Sequence, residues 1–124
     1  MNAGQTVRLR VMIVEDEVII AMDLAAMIRE LGHEVVKMAN RVDTGAAFAT
    51  SGEFDLAILD VNVRGELSFP IAAILRERGI PFIFASGYGE RGLIDGFREV
   101  PVLTKPYTCA ALAEVLSLTL PETR

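Results

Sequence analysis

Short apolar runs alternate along the chain with segments that carry a helical pattern of apolar residues, and this alternation constrains the fold more than any other feature. The first run, Val7–Val14, ends in four consecutive apolar residues, which indicates a strand buried on both faces. Four further strands are predicted at Glu34–Ala39, Leu56–Asp60, Pro81–Ala85 and Pro101–Leu103. Strands that alternate with helices are typical of βαβ units and a parallel sheet.

Helices are expected between these strands. Glu17–Leu31 places its large apolar residues on one stripe, and Gly32 follows it as a stop signal. Further helices are predicted from residue 43 or 44 to Ser51, from Ser68 to Gly79, near Arg91–Phe97, and from Thr108 to about Leu118. Five strands interleaved with five helices predict an α/β, doubly wound, five-stranded parallel sheet of order 2-1-3-4-5, which is a flavodoxin-like arrangement.

Composition and charge narrow the class of protein. The chain has 124 residues and a net charge of −5 with no basic cluster, so a nucleic-acid interface is not expected. The lone Cys109 cannot form an internal disulfide, which favours a reducing, cytoplasmic setting. The apolar stretch Val18–Ile28 is too short to cross a membrane. We therefore expect one domain over residues 1–124, with its core at about residues 8–120 and no output domain.

Polar residues stand where the predicted strands end. Glu15-Asp16-Glu17 follows the first strand, Asp60 ends the third, Ser86 follows the fourth, and Thr104-Lys105-Pro106 follows the fifth. In such folds these strand ends meet at one edge of the sheet. Carboxylates that lie close together repel one another, so a bound cation is expected to compensate their charge. Oxygen ligands suit Mg²⁺ or Mn²⁺. A lysine and a hydroxyl opposite them suit a tetrahedral anion, so the pattern predicts a metal-assisted phosphoryl-transfer site.

Four short motifs in this order resemble those of the response-regulator receiver domain of two-component systems. They are Val14-Glu15-Asp16-Glu17, Leu59-Asp60-Val61-Asn62, Ala85-Ser86-Gly87 and Lys105-Pro106. The resemblance covers about Arg8 to Leu120. The stretch Pro81–Tyr88 is also similar to a subgroup with Phe-Ala-Thr-Gly-Tyr after its fourth strand, in which the receiver often stands alone.

The resemblance implies a role for each matching residue. Asp60 is the expected phosphoacceptor, and it would bind Mg²⁺ together with Asp16, the backbone carbonyl of Asn62, and Glu15 acting through water. Ser86 would bind a phosphoryl oxygen. Lys105 would pair first with Asp60 and then with the phosphoryl group, and its bond to Pro106 would be cis.

The function that the resemblance implies is signalling by phosphorylation. A histidine kinase or a phosphotransfer protein would donate the phosphoryl group, and the signal would leave through protein contacts. The chain would not be an enzyme, apart from weak self-phosphorylation and autodephosphorylation.

The sequence departs from the family pattern at three positions. Glu15 stands where aspartate is usual, and Ser86 where threonine is usual. The position three residues before Lys105 is Val102, where many receivers carry an aromatic switch residue. Tyr88, two residues after Ser86, is our candidate to take over that switch role.

Three other functions are considered. A phosphorylation-independent pseudo-receiver would act only as a docking module, but the full set of Asp16, Asp60, Ser86 and Lys105 argues against it. A flavin or nucleotide binder would need a glycine-rich or hydroxyl-rich loop after the first strand, where this chain has three acidic residues. An aspartyl-phosphate hydrolase would need a second carboxylate where Asn62 stands.

Overall fold

The computed structural model describes residues 8–87, 96–97 and 99–119, which form a parallel sheet with helices packed on both faces. The elements in chain order are β1 (Arg10–Val14), α1 (Val18–Glu30), β2 (Glu34–Ala39), α2 (Val42–Ser51), β3 (Leu56–Asp60), β4 (Asn62–Val63), β5 (Glu66–Leu67), α3 (Phe69–Arg78), β6 (Phe82–Ser86), β7 (Val102–Thr104) and α4 (Cys109–Thr119). No helix in this described part combines the length and the apolar character that crossing a membrane requires.

The main sheet has five strands in the order β2-β1-β3-β6-β7, all paired in parallel. The predicted order 2-1-3-4-5 needs correction, because two short strands that the sequence did not predict follow β3. These strands, β4 and β5, pair antiparallel as a hairpin of their own. The predicted neighbours within the five-stranded sheet are retained, with the fourth and fifth members now numbered β6 and β7.

The described residues form four helices instead of the predicted five. The remaining prediction, near Arg91–Phe97, falls mainly on residues outside the described part of the chain. Two strands, β2 and β3, begin and end at the residues that their apolar runs predicted. The other predicted boundaries shift by one to three residues, which is normal because the ends of helices and strands fray.

Side chains that alternate along the strands fill two apolar layers. Met12 and Val14 of β1 point to the layer that α2 and α3 cover, while Val11 and Ile13 point to the layer that α1 and α4 cover. All five residues of β3 are buried, as expected for a strand with helices on both faces. This packing holds the carboxyl ends of β1, β3, β6 and β7 at one edge of the sheet.

Candidate functional site

Asp60, the last residue of β3, lies buried at this edge and is only 3% exposed. The Lys105 ammonium donates a hydrogen bond of 3.2 Å to Asp60 Oδ2 and lies 3.6 Å from Glu15 Oε1. Lys105 follows β7, and its own backbone N–H donates to the Ser86 carbonyl at 2.9 Å. Strand pairing therefore brings together residues that are 45 positions apart in the chain.

Three carboxylates, one of which belongs to Asp60, meet at this edge of the sheet. Glu15, Asp16 and Asp60 each offer one oxygen, and these three oxygens lie within 4.8 Å of one another. Glu15 is 3% exposed; its Oε2 accepts the Glu17 N–H at 3.1 Å, while its Oε1 has no hydrogen-bond partner among the described residues. A buried oxygen without a hydrogen bond, in a set made only of oxygen donors, fits a hard divalent cation such as Mg²⁺ or Mn²⁺.

Burial and neighbouring charges shift the pKa values of two side chains in this group, Glu15 and Lys105. Burial raises the pKa of Glu15 to about 7, and the negative charge of Asp60 adds to that effect, while the Glu17 N–H and Lys105 oppose it. Burial lowers the pKa of Lys105, but the charges of Asp60 and Glu15 outweigh burial, so this pKa lies above its ordinary value. Lys105 is therefore a fixed positive charge, and Glu15 is the carboxylate that a cation would deprotonate.

The β4–β5 hairpin forms a further wall of the site. The Arg64 N–H donates to Asp16 Oδ2 at 3.0 Å, and the Arg64 guanidinium donates through Nε to the Asn40 carbonyl at 3.0 Å. Within the hairpin, the Gly65 N–H donates to Asn62 Oδ1 at 2.9 Å. The sequence analysis missed Arg64; the one available signal was the Arg64-Gly65 pair between Val63 and Glu66, which is compatible with a tight turn.

The structure also describes the predicted site residues Ser86 and Asn62 and the predicted cis peptide bond. Ser86 ends β6 and is 5% exposed. The Asn62 N–H donates to Asp60 Oδ1 at an N···O distance of 3.4 Å, so Asn62 lies next to the Asp60 carboxylate. The Lys105–Pro106 peptide bond is cis, as expected. Tyr88, the candidate switch residue, lies outside the described residues.

Three large apolar side chains of α1 are exposed to solvent. Val18, Ile19 and Met22 are 64%, 75% and 61% exposed. A cavity of about 470 Å³ opens between α1 and the residues after β7, and its lining includes Ile20, Met27, Lys105, Pro106 and Tyr107. We call Val18, Ile19 and Met22 the α1 patch.

A buried aspartate beside a lysine and two further carboxylates, at the carboxyl edge of a parallel sheet, is the arrangement that the sequence analysis expects of a response-regulator receiver domain. No protein-family model matches the chain. The solution structure of SdrG from Sphingomonas melonis Fr1 is 39% identical and covers 92% of this chain and 98% of SdrG, with a TM-score of 0.83. A solution structure of SdrG from Pseudomonas melonis Fr1 in its BeF₃-activated conformation is also 39% identical and covers 88% of this chain and 93% of that one, with a TM-score of 0.76.

Larger regulators contain similar segments. The transcriptional regulatory protein PdtaR of Mycobacterium tuberculosis is 31% identical over 121 residues, which are 94% of this chain and 59% of PdtaR. The crystal structure of the response regulator PhyR from Brucella abortus is 32% identical and covers 94% of this chain and 49% of PhyR, with a TM-score of 0.79. PhyR from Bartonella quintana, described as an anti-anti-sigma factor, is 28% identical and covers 93% and 48%, with a TM-score of 0.78.

The chain belongs to the response-regulator receiver family. It spans little more than half the length of PdtaR. Receiver-domain regulators such as PhyR and PdtaR are non-enzymatic signalling proteins, which agrees with the expectation for this chain. The assignment to the subgroup with Phe-Ala-Thr-Gly-Tyr after the fourth sheet strand stays a prediction.

Proposed function

We propose that this domain accepts a phosphoryl group on Asp60 in a Mg²⁺-dependent reaction and thereby changes its affinity for a protein partner. The observation that carries the proposal is the buried Asp60 carboxylate, with Lys105 at 3.2 Å and two further carboxylates beside it. Burial and a fixed cation suit a nucleophile that must be charged and must be kept from water.

The chain's own residues divide the work of the transfer. An oxygen of Asp60 forms the new bond to phosphorus while the bond from phosphorus to the donor atom breaks, and the donor leaves with that electron pair. Lys105 neutralises charge on Asp60 before the transfer and on the phosphoryl oxygens after it. Ser86 donates its hydroxyl hydrogen to one of those oxygens.

The donor set around Asp60 would hold the metal. Asp16, Asp60 and the Asn62 carbonyl would bind Mg²⁺ or Mn²⁺ directly, and Glu15 would bind it through water. The bound ion would neutralise charge on the phosphoryl oxygens. Glu15 and Asp16 also keep the acceptor edge negative, so a metal-free domain repels a phosphoryl donor.

We propose a protein as the donor, namely a histidine kinase or a phosphotransfer protein of a cytoplasmic phosphorelay. The α1 patch begins three residues after Glu15 in the chain, and it is flanked by two exposed acids, Glu17 and Asp23. This combination fits a partner surface that is apolar with a basic rim. A donor seated there would present its phosphohistidine to Asp60.

A docking module that works without phosphorylation remains the alternative, and one comparison favours it. A PhyR relative is described as an anti-anti-sigma factor, which is a partner-switching role. The BeF₃-activated conformation of SdrG favours the phosphorylation-dependent function instead, because BeF₃ imitates an acyl phosphate on aspartate.

Intact-mass spectrometry after incubation with acetyl phosphate tests the proposal. We expect a gain of one phosphoryl mass with Mg²⁺, no gain with EDTA, and no gain for Asp60→Ala. Asp23→Ala, which removes an exposed carboxylate on α1, is the matched control and should label normally. A wild-type protein that stays unlabelled by acetyl phosphate and by every kinase tried would leave the docking module as the better function.

The same assay examines the α1 patch. Ile19→Glu places a charge in the apolar patch without touching the acceptor group. We expect this variant to label like the wild type with acetyl phosphate and at least tenfold more slowly from a histidine kinase that labels the wild type. Equal rates from that kinase would show that the donor docks elsewhere.

A further inference from the structure

The turn of the β4–β5 hairpin has an unusual backbone for its sequence. Arg64 has a φ of 54° and Gly65 a φ of 84°, so both residues between the paired Val63 and Glu66 are in the left-handed region. Two-residue hairpin turns of this kind favour asparagine or glycine, because a Cβ atom is crowded there. Among the described residues, Arg64 is the one non-glycine with a positive φ.

The Arg64 contacts explain why an arginine stands at this position. Its backbone N–H donates a hydrogen bond of 3.0 Å to Asp16 Oδ2, in the loop after β1. Its guanidinium reaches in another direction, to the carbonyl of Asn40, which follows β2. One residue therefore joins three segments: the loop after β1, the loop after β2, and the hairpin that begins at Asn62.

The hairpin also carries the other predicted metal ligand of this region. Asn62 follows Val61, which directly follows the acceptor, and its side chain accepts the Gly65 N–H at 2.9 Å. The Ser68 N–H donates to the Val61 carbonyl at 2.9 Å and closes the base of the hairpin. A hairpin anchored at its tip and at its base has little freedom to move the Asn62 carbonyl or to release Asp16.

We propose that Arg64 is a positioning residue for the Mg²⁺ site, and this inference rests on the function proposed above. Its N–H fixes one oxygen of Asp16 and leaves the other for the ion, and its guanidinium holds the hairpin in place while it does so. Hydrogen bonds that orient a metal-binding carboxylate typically change metal affinity 10–100-fold when removed.

The charge of Arg64 and its positioning contact predict opposite changes in Mg²⁺ affinity when the guanidinium is removed. Arg64 is a cation near a cation site, so removal of its charge alone would strengthen Mg²⁺ binding. Removal of a positioning contact would weaken it. The direction of the change in Mg²⁺ affinity therefore separates the two roles.

The experiment is a calorimetric Mg²⁺ titration of the wild type, Arg64→Gly, Arg64→Asn and Arg64→Lys. Glycine and asparagine tolerate the left-handed conformation, so these two variants remove the guanidinium without adding backbone strain. We expect both to bind Mg²⁺ about tenfold more weakly than the wild type. Arg64→Lys, which keeps a donor for the Asn40 carbonyl, should recover part of the affinity. Arg41→Ala removes a neighbouring exposed arginine that pairs with Asp43, and it controls for charge alone.

Unchanged or tighter Mg²⁺ binding by Arg64→Gly and Arg64→Asn would overturn the inference and leave the metal site standing. A wild type that binds no Mg²⁺ would instead overturn the proposed metal site together with this inference. A thermal unfolding curve without metal accompanies each titration. A weaker affinity counts in favour of positioning only when the metal-free variant unfolds within a few degrees of the wild type, and a variant that is weaker solely because it is unfolded counts against it.

Discussion

Replacement of Glu15 with glutamine should change how the stability of the metal-free domain depends on pH. Burial raises the pKa of Glu15 from 4.5 to about 7 in the folded protein. The folded state therefore holds this proton more tightly than the unfolded state does. Stability from this group is fully present below about pH 4.5 and is lost as the pH rises through about 7.

The size of the effect follows from the shift in pKa. A rise from 4.5 to about 7, at about 1.4 kcal/mol per pKa unit, corresponds to on the order of 3 kcal/mol of unfolding free energy. Most of this, on the order of 2–3 kcal/mol, should be lost between about pH 5 and pH 8. Glutamine resembles the protonated acid in shape and carries no charge, so Glu15→Gln lacks this loss.

Urea denaturation in EDTA, repeated from about pH 5 to pH 8, measures the difference. We expect Glu15→Gln to match the wild type near pH 5 and to be about 2–3 kcal/mol more stable near pH 8. Groups that titrate identically in both proteins cancel in this comparison. Glu17→Gln, at the exposed neighbouring position, is the matched control and should track the wild type throughout. A difference between Glu15→Gln and the wild type that stays constant over this range would refute the reasoning.

Two further predictions concern the scaffold. A Cβ atom at Gly45 of α2 would lie 2.7 Å from Ile71 Cδ1, and Ile71 is fully buried. Because of this clash, Gly45→Ala should unfold in urea with about 1 kcal/mol less stability than the wild type, although alanine has the better helix propensity. Ile71→Val removes the clashing methyl group, so the double variant should recover that loss. His33 Nδ1 accepts the Leu9 N–H at 3.1 Å, and burial lowers the pKa of His33. The NMR titration of His33 should have a midpoint below 6.5, and the chemical shift of the Leu9 amide should follow the same curve. The stability that this hydrogen bond contributes should decline as the pH falls through that midpoint. A midpoint at or above 6.5 would contradict this prediction.

The aromatic switch shows what the sequence could and could not indicate. The sequence places Val102 where an aromatic residue is usual, and the structure shows Val102 in β7, half-buried and paired with Phe84 of β6. The ring of Phe84 packs edge-on against Phe97 and Phe69 at centroid distances of 5.7 Å. The aromatic side chains near Val102 therefore come from β6, from α3 and from Phe97. The residue type at position 102 alone could not predict this arrangement. The proposed switch role of Tyr88 stays a prediction.

The positions of Asp60, Glu15 and Lys105 were predictable because these residues stand at the ends of strands. Once parallel strands are assigned, the residues after β1, β3 and β7 must meet at one edge, and Glu15, Asp60 and Lys105 do meet there. The hairpin was not predictable in the same way, because strands of two residues carry no periodic pattern.

Arg64, whose N–H donates to Asp16 Oδ2, is in the left-handed conformation, and an arginine is a poor signal for that conformation. The sequence alone therefore could not place Arg64 in the site. For the same reason, sequence similarity alone should give little guidance on how a substitution at Arg64 changes the affinity of the proposed Mg²⁺ site. Two receivers with the same acidic residues can differ in metal affinity when their hairpins hold the carboxylate of Asp16 differently.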